Sequence, residues 1–358
     1  MTAQNKKRPD ATRRTPPLVS VVVPVLNRKK TIGRCLQSLL DMDYPAFEVI
    51  VVDNGSTDGT WGICSRFPVK LTREDRKGPY AARNKGLELA RGDLVFFIDS
   101  DCIADKAVLT RLVGSLSDNT IGGAGGQLQT YEPGTLTEKF EDYAGILVYS
   151  LPPGFIAWDQ RKFLSGGIFT ANALFRKNAL QRMNGFDAEF MSGGDYNLCW
   201  QLQRAGYRLV FDPEAVVKHA HRTSLRGLIK QFYKYGLDQP KLLKKQPHKY
   251  SFLKVKTYLW PAWEVRCRLP IRALVNIDCC SVFLLGLGLS FFSRFFLWLS
   301  LASLALVLLG TLRQAAGVVK KSGELKWIAL FPFFHLVRNY AFTAGRLVGG
   351  IKNRVLAV

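Results

Sequence analysis

At 358 residues, 47% of them hydrophobic, the chain exceeds one average domain and can bury a large core. Its 50 Lys and Arg against 28 Asp and Glu leave a formal charge of +22, which suits an anionic partner such as nucleic acid, anionic lipid or a phosphorylated substrate; no RNA- or DNA-reading module is present in the pattern. The seven cysteines (Cys35, Cys64, Cys102, Cys199, Cys267, Cys279, Cys280) include no C-x-x-C pair, which excludes a zinc ribbon or thioredoxin-type centre and fits reduced, buried thiols facing the cytosol.

Residues 1–17 are polar and basic and lack an apolar h-region, so they read as a disordered basic arm rather than a signal peptide. The run 19–24 is β-branched and apolar, the pattern of a buried parallel strand. Helical spacing follows over 27–40, with Ile32, Leu36, Leu39 and Leu40 on one side. A second strand, 47–53, ends at Asp53 in an Asn-Gly turn; Asp58 opens a short helix and 69–71 forms a third strand. The helix 79–90 is followed by Gly92, placed as a C-terminal glycine. Strand 94–98 runs straight into Asp99 and Asp101. Strands alternating with helices across the first hundred residues imply an α/β fold with a parallel sheet, whose ligands bind beyond the carboxyl ends of the strands. Asp53, Asp99 and Asp101 sit at such ends.

Beyond the glycine-rich 122–126, which reads as a flexible or tight approach to a strand, the pattern loosens. A strand over 168–175, a helix over 176–183, a turn at 184–187, a helix over 196–205 and strands over 208–211 and 215–220 complete the first 220 residues. The domain then gives way to a basic helical linker or interfacial region over 226–273. From 274 the composition turns apolar: 279–292 is uncharged, Arg294 interrupts, and 295–312 is uncharged again. A spanning helix needs about 20 apolar residues. Two readings compete: a hairpin of short helices (274–292 and 295–312) turning at Arg294, or one spanning and one interfacial helix. The segment 327–350, broken by His335, Arg338 and Arg346, reads as interfacial. Arg266, Arg268 and Arg272 before the apolar stretch and Lys320 and Lys321 after it favour a hairpin with the first domain on the cytoplasmic side of the membrane.

Asp99-x-Asp101 at a strand end is the pattern by which carboxylates hold a hard divalent cation against a diphosphate. Asp53 either accepts hydrogen bonds from a base or ribose or simply closes its turn. Asn27 either contacts a base or caps the next helix, and Arg83 either faces an anion or lies on the surface. Asp195, in a Gly-Gly-Asp turn opening a helix, is either a general base or an N-cap. His219 and His221, two apart on one strand face, are alternative partners for the metal. A dehydrogenase is disfavoured because no G-x-G-x-x-G follows the first strand, and a nucleotidyltransferase because PVLN (24–27) is no triphosphate-cradling loop.

Taken together, VVVPVLN (21–27), VVDNGSTD (51–58), ARN (82–84), FIDSD (97–101), GFD (185–187), GDYNL (194–198) and RAGY (204–207) resemble family 2 glycosyltransferases of the GT-A fold, in order and spacing, over residues 18–222. The resemblance implies a GT-A-type nucleotide-sugar-binding domain over 18–225 with a mostly parallel central sheet, followed by C-terminal hydrophobic helices over 274–350. It implies an inverting transferase moving one sugar from a nucleotide-diphosphate sugar (UDP-sugar first, GDP- or dTDP-sugar as alternatives) to a hydroxyl of a glycan or polyprenyl-phosphate-linked acceptor, with Mn2+ or Mg2+ as cofactor. Pro24, Asn27, Asp53, Arg83 and Asp99 correspond to donor contacts, Asp99, Asp101 and His219 to the metal side, and Asp195 to the base. The family pattern at the base is Glu-Asp; here Gly194 precedes Asp195. The QxxRW motif of processive members is absent, which points to single transfers. A non-catalytic nucleotide-sugar or lipid-binding scaffold is the alternative, and it predicts loss of a carboxylate from this set.

Overall fold

The computed structural model describes residues 15–146, 148–157, 159, 166–246, 251–256, 263–267 and 273–357. The expected basic arm, but for residues 15–17, and the flanking Arg268 and Arg272 lie outside the described residues. In chain order the first half runs β1 (Val19–Val25), α1 (Ile32–Leu40), β2 (Phe47–Asp53), α2 (Thr60–Cys64), β3 (Lys70–Arg73), α3 (Pro79–Leu89), β4 (Leu94–Phe97), β5 (Cys102–Ala104) and α4 (Val108–Ser115). Next come β6 (Ile121–Thr130), α5 (Leu136–Tyr143), β7 (Gly154–Ile156), β8 (Ala173–Arg176), α6 (Lys177–Arg182), α7 (Gly194–Arg204) and β9 (Arg208–His219). The tail comprises α8 (Leu225–Lys245), β10 (Ser251–Lys256), β11 (Trp263–Cys267), β12 (Ala273–Asp278), α9 (Cys279–Leu289), α10 (Arg294–Ser322), α11 (Trp327–Asn353) and β13 (Leu356–Ala357).

One mixed sheet takes the order β3-β2-β1-β4-β8-β6-β9-β5, with β7 on β9. β3, β2, β1 and β4 are mutually parallel, as are β6 and β9, while β8 runs antiparallel between the two groups. The valine run of β1 follows from burial on both faces: Val19, Val21 and Val23 pack with α1 and α4 residues such as Leu36 and Leu109, and Val22 packs with Tyr80, Ala82 and Phe97 on the other side. Each such buried valine contributes roughly 1.5–3 kcal/mol. Ser20 is buried among them because its hydroxyl is satisfied, donating to Glu48 at 2.7 Å and accepting the Gly92 N–H at 2.9 Å.

Two glycine expectations change. Gly92 caps no left-handed helix end; it lies against β1, where a Cβ would sit 2.4 Å from the Leu18 carbonyl oxygen. The run 122–126 is already strand, the buried first half of β6, tight and not flexible, and it is glycine because neighbours fill the side-chain space: a Cβ on Gly123 would meet the Phe175 ring at 2.5 Å, and one on Gly126 the Ala215 carbonyl oxygen at 2.1 Å. The strands expected at 208–211 and 215–220 form one continuous strand, β9, and only the end of 168–175 is extended as β8.

The segment read as a helical linker contains α8 and then two strands, β10 and β11, which with β12 and β13 form a second sheet in the order β11-β10-β12-β13. Neither half of the expected 274–312 hairpin keeps its bounds. β12 takes the first residues and α9 has 11 residues, too short to span, while α10 continues for 29 residues until Gly323 at φ +74 closes it. Among the described residues α10 is the one helix long and apolar enough to cross a membrane, with mean hydropathy 2.2. Phe291, Phe292, Phe295 and Trp298 at its start are 66–92% exposed. α11 spans the segment read as interfacial. It packs along α8 backbone to backbone: a Cβ on Gly345 would lie 2.0 Å from the Tyr233 carbonyl oxygen, one on Gly349 2.2 Å from that of Leu237, and one on Gly236 2.0 Å from that of Phe342. Its Trp327, Phe331 and Phe334 close over Phe140 of α5 and Leu228 of α8, tying the tail to the first domain.

Candidate active site

The carboxyl ends of β1, β2 and β4 lie side by side, since Val25 pairs with Asp53 and Val22 with Phe97. The loops leaving these ends are stitched together. Asn27 adopts φ +52, a left-handed conformation that asparagine tolerates, and accepts the Thr57 N–H at 2.8 Å while its own N–H donates to Ser56 Oγ at 2.9 Å. It caps no helix: Thr31 precedes α1. Asp53 is buried and both its oxygens lie 3.2 Å from the Ser56 N–H, so it closes the turn and still marks the strand end. Pro24 sits beside Val52 in the sheet just before this loop. Two asparagines of the same motifs are builders: Asn54 accepts the Gly78 N–H at 2.8 Å and donates to the Glu74 and Arg76 carbonyls, and Asn84 brackets Phe186 through both its N–H and its carbonyl.

Arg83 is buried on α3, not a surface arginine, and its guanidinium donates to Asp99 Oδ1 at 2.5 Å. Asp99 is part-exposed and Asp101 is buried, so the two carboxylates of the motif differ in access. Asp101 Oδ2 is held by Arg28 at 3.2 Å and Arg222 at 3.1 Å, while Oδ1 faces His219 Nε2 at 3.5 Å. Burial pushes this carboxyl up, but His219, Arg28 and Arg222 together outweigh burial and hold it well below the usual carboxylate range. His221 turns elsewhere: Nε2 is 3.0 Å from Thr130 Oγ1, and Nδ1 is 3.4 Å from the buried Glu141, without hydrogen-bond geometry. Glu141 accepts the Arg222 N–H at 2.7 Å. Of the two histidines, His219 is therefore the one brought to the motif.

Asp195 occupies the first turn of α7. Its Oδ1 accepts its neighbour Tyr196 N–H at 3.0 Å and lies 3.5 Å from Tyr80 Oη. Burial raises its carboxyl above the ordinary aspartate value; Arg83 and the N–H groups of Tyr196 and Thr170 pull it back, and Asp99 raises it further. The loop leading into α7 is clamped by α8: buried Asp238 accepts the Met191 and Ser192 N–H groups at 2.7 Å each, and Lys245 pairs with Asp187 and Glu189.

A divalent ion fits this set. Asp101 and His219, both buried, present oxygen and nitrogen ligand atoms to each other, and His219 Nδ1 has no hydrogen-bond partner among the described residues. Cys102 completes the cluster spatially, but its soft sulfur is a poor partner for a hard cation. Arg28, Arg222, Tyr80 and Asp238 carry no signal in the local sequence; the site gains them through the fold.

The model of the glycosyl transferase family 2 matches residues 20–183. Glycosyltransferase AglE of Haloferax volcanii is 31% identical over 228 residues, covering 61% of this chain and 72% of that protein. The pre-mycofactocin glycosyltransferase of Mycobacterium tuberculosis is 31% identical over 257 residues, 68% of this chain; the chain spans 52% of that relative's length. A Methanococcus voltae enzyme, dolichyl N-acetyl-alpha-D-glucosaminyl phosphate 3-beta-D-2,3-diacetamido-2,3-dideoxy-beta-D-glucuronosyltransferase, is 24% identical over 249 residues, covering 63% of this chain and 74% of it. Among solved structures, the mannosyltransferase PcManGT from Pyrobaculum calidifontis, in complex with GDP-Man and Mn2+, superimposes with a TM-score of 0.53 at 19% identity, covering 97% of this chain and 91% of that one, a likeness of fold.

Proposed function

Because this chain belongs to glycosyl transferase family 2 and is a glycosyltransferase, we propose that it transfers one sugar per encounter, with inversion, from a nucleotide-diphosphate sugar to a hydroxyl of a lipid-linked or polysaccharide acceptor. The observation that carries the reading is a pair of buried carboxylates in different surroundings: Asp101 lies between the Arg28 and Arg222 guanidiniums and faces His219, whereas Asp195 opens α7 beside Tyr80 Oη and the Tyr196 N–H, where burial raises its carboxyl. Such a split assigns one carboxylate to charge and the other to proton transfer.

In this reading Asn27, Asp53 and the Pro24 backbone region receive the nucleoside, and Arg83 fixes Asp99 toward the ribose and metal side. Asp101 and His219, with Asp99, hold a divalent ion, Mn2+ or Mg2+. When bound, that ion neutralises charge on the departing diphosphate. Arg28 and Arg222 add permanent positive charge at the same place, whatever the ion's occupancy. Asp195 takes the acceptor hydroxyl proton while the oxygen bonds to the anomeric carbon and the bond to the diphosphate oxygen breaks on the opposite side. Holding both substrates in line supplies much of the rate.

The tail supports a membrane-bound acceptor: α10 has the length and hydropathy of a span, its first turns expose aromatic rings, and Lys320 and Lys321 lie in its last turn. We place the first domain at the cytoplasmic face. The test is release of nucleoside diphosphate from a panel of UDP-, GDP- and dTDP-sugars by detergent-solubilised protein with Mn2+, with and without a lipid extract. Metal-dependent release from one donor, accelerated by the extract and giving an inverted product, is expected. Neither turnover nor donor binding across the panel would favour the scaffold alternative.

A further inference from the structure

Tyr80 lies in the first turn of α3 with its ring buried, stacked on Phe186 at 5.5 Å between centroids and covered by the Arg83 guanidinium at 5.1 Å. Its Oη accepts the Gly194 N–H at 2.9 Å and the Asp195 N–H at 3.4 Å. A phenol has two lone pairs and one proton. With both lone pairs facing the start of α7, the proton points to the remaining neighbour, Asp195 Oδ1, at 3.5 Å. Burial, and then the Asp195 charge, push the Tyr80 hydroxyl well above its ordinary range, so it stays a donor.

A second observation comes from the other side of this contact. A Cβ on Gly194 would lie 2.7, 2.8 and 3.0 Å from the Cε2, Cζ and Cδ2 atoms of the Tyr80 ring. The residue before Asp195 therefore has no side chain because the ring fills its place. Where the family pattern puts a second carboxylate beside the base, this chain puts a neutral hydroxyl delivered from α3.

We infer that Tyr80 is a positioning residue for the reaction: its hydroxyl ties the N–H groups opening α7 to the Asp195 carboxylate, orients that carboxylate and favours its ionised form. The inference rests on the reading of Asp195 as the base. The other groups facing Asp195 are Arg83 from α3, Asp99 beyond β4, Tyr196 and Cys199 on α7, Tyr149 and the Thr170 N–H. The Tyr196 N–H of α7 itself donates to Oδ1 at 3.0 Å, whereas Tyr80 comes from another element and contacts both the N–H groups of Gly194 and Asp195 and the carboxylate.

Tyr80→Phe keeps the ring and removes only the oxygen. We expect kcat to fall about tenfold or more, part of the 10²–10⁴ that a general base supplies, with donor KM and calorimetric donor affinity unchanged. The acid limb of the kcat–pH profile should move to higher pH, because the ionised form of Asp195 loses a donor. In an Asp195→Asn background the same substitution should cost nothing further in kcat. A merely structural tyrosine would lower the melting temperature and leave the limb where it is. An unshifted limb with wild-type kcat, or the full Tyr80→Phe loss recurring in the residual kcat of Asp195→Asn, overturns the inference alone. Wild-type turnover by Asp195→Asn overturns the base reading, and this inference with it.

Discussion

The two ends of the site treat a buried aspartate in opposite ways. Around Asp101, two guanidiniums and an imidazole converge: Arg28 from the loop after β1, His219 at the end of β9 and Arg222 just beyond it. Around Asp195 the surroundings are largely aromatic, with Tyr80, Tyr196, Tyr149 and Cys199 close by and the Arg83 guanidinium the chief charge opposing burial. Burial costs both carboxylates; only at Asp101 does positive charge win. Residue type therefore does not decide role here. The positive charge within reach does, and on the proposed reading a ligand and a base come from the same kind of side chain.

The largest effect expected from breaking this contrast is at the base. Asp195→Asn, nearly isosteric, should lower kcat by roughly 10²–10⁴ while calorimetric donor binding stays within experimental error. Next is the cation side. Arg222→Met removes one of two guanidiniums from Asp101 and should weaken Mn2+ activation by about 10–100-fold, read as a rise in the half-activating Mn2+ concentration at unchanged Asp195-dependent pH behaviour. A smaller effect is the pH dependence itself. Asp195 must be deprotonated to accept a proton, and its value is raised, so activity should fall on acidification at a higher pH than an ordinary aspartate would give. The Asp101 carboxyl, lowered, should not contribute to that limb. Smallest in activity is the clamp: Asp238→Ala leaves the Met191 and Ser192 N–H groups without their acceptor and should cost about 1–3 kcal/mol of stability in a denaturant titration, with only a modest fall in kcat.

What the sequence made legible follows the range of the contacts. Strand β2 matches its expected bounds and β1 and β4 nearly do, because a doubly buried parallel strand is a continuous apolar run. Asp53, Asp99, Asp101 and Asp195 stood out because strand ends and helix starts are marked by local residues. Arg222 did not, since it reaches Asp101 across 121 residues, and Tyr80 reaches Asp195 across 115. β5 and β7 have three residues each, too few to show a period. Trp263–Cys267 alternates apolar and charged residues along most of its length, a strand signal that the basic composition of the segment masked. Gly345 and Gly349 looked like part of an interfacial helix; only the approach of α8 shows why they are small.

The central claim is that one carboxylate holds the metal and donor while the other moves the proton. It is tested most directly by isothermal calorimetry of the reactive donor, with and without Mn2+, on Asp101→Ala and Asp195→Asn side by side, with nucleoside diphosphate release measured on the same samples. The account predicts that Asp195→Asn binds donor with full Mn2+ dependence and turns over roughly 10²–10⁴ times more slowly, whereas Asp101→Ala loses the Mn2+-dependent part of binding. Turnover by Asp195→Asn at the wild-type rate, or undiminished Mn2+-dependent binding by Asp101→Ala, would contradict it.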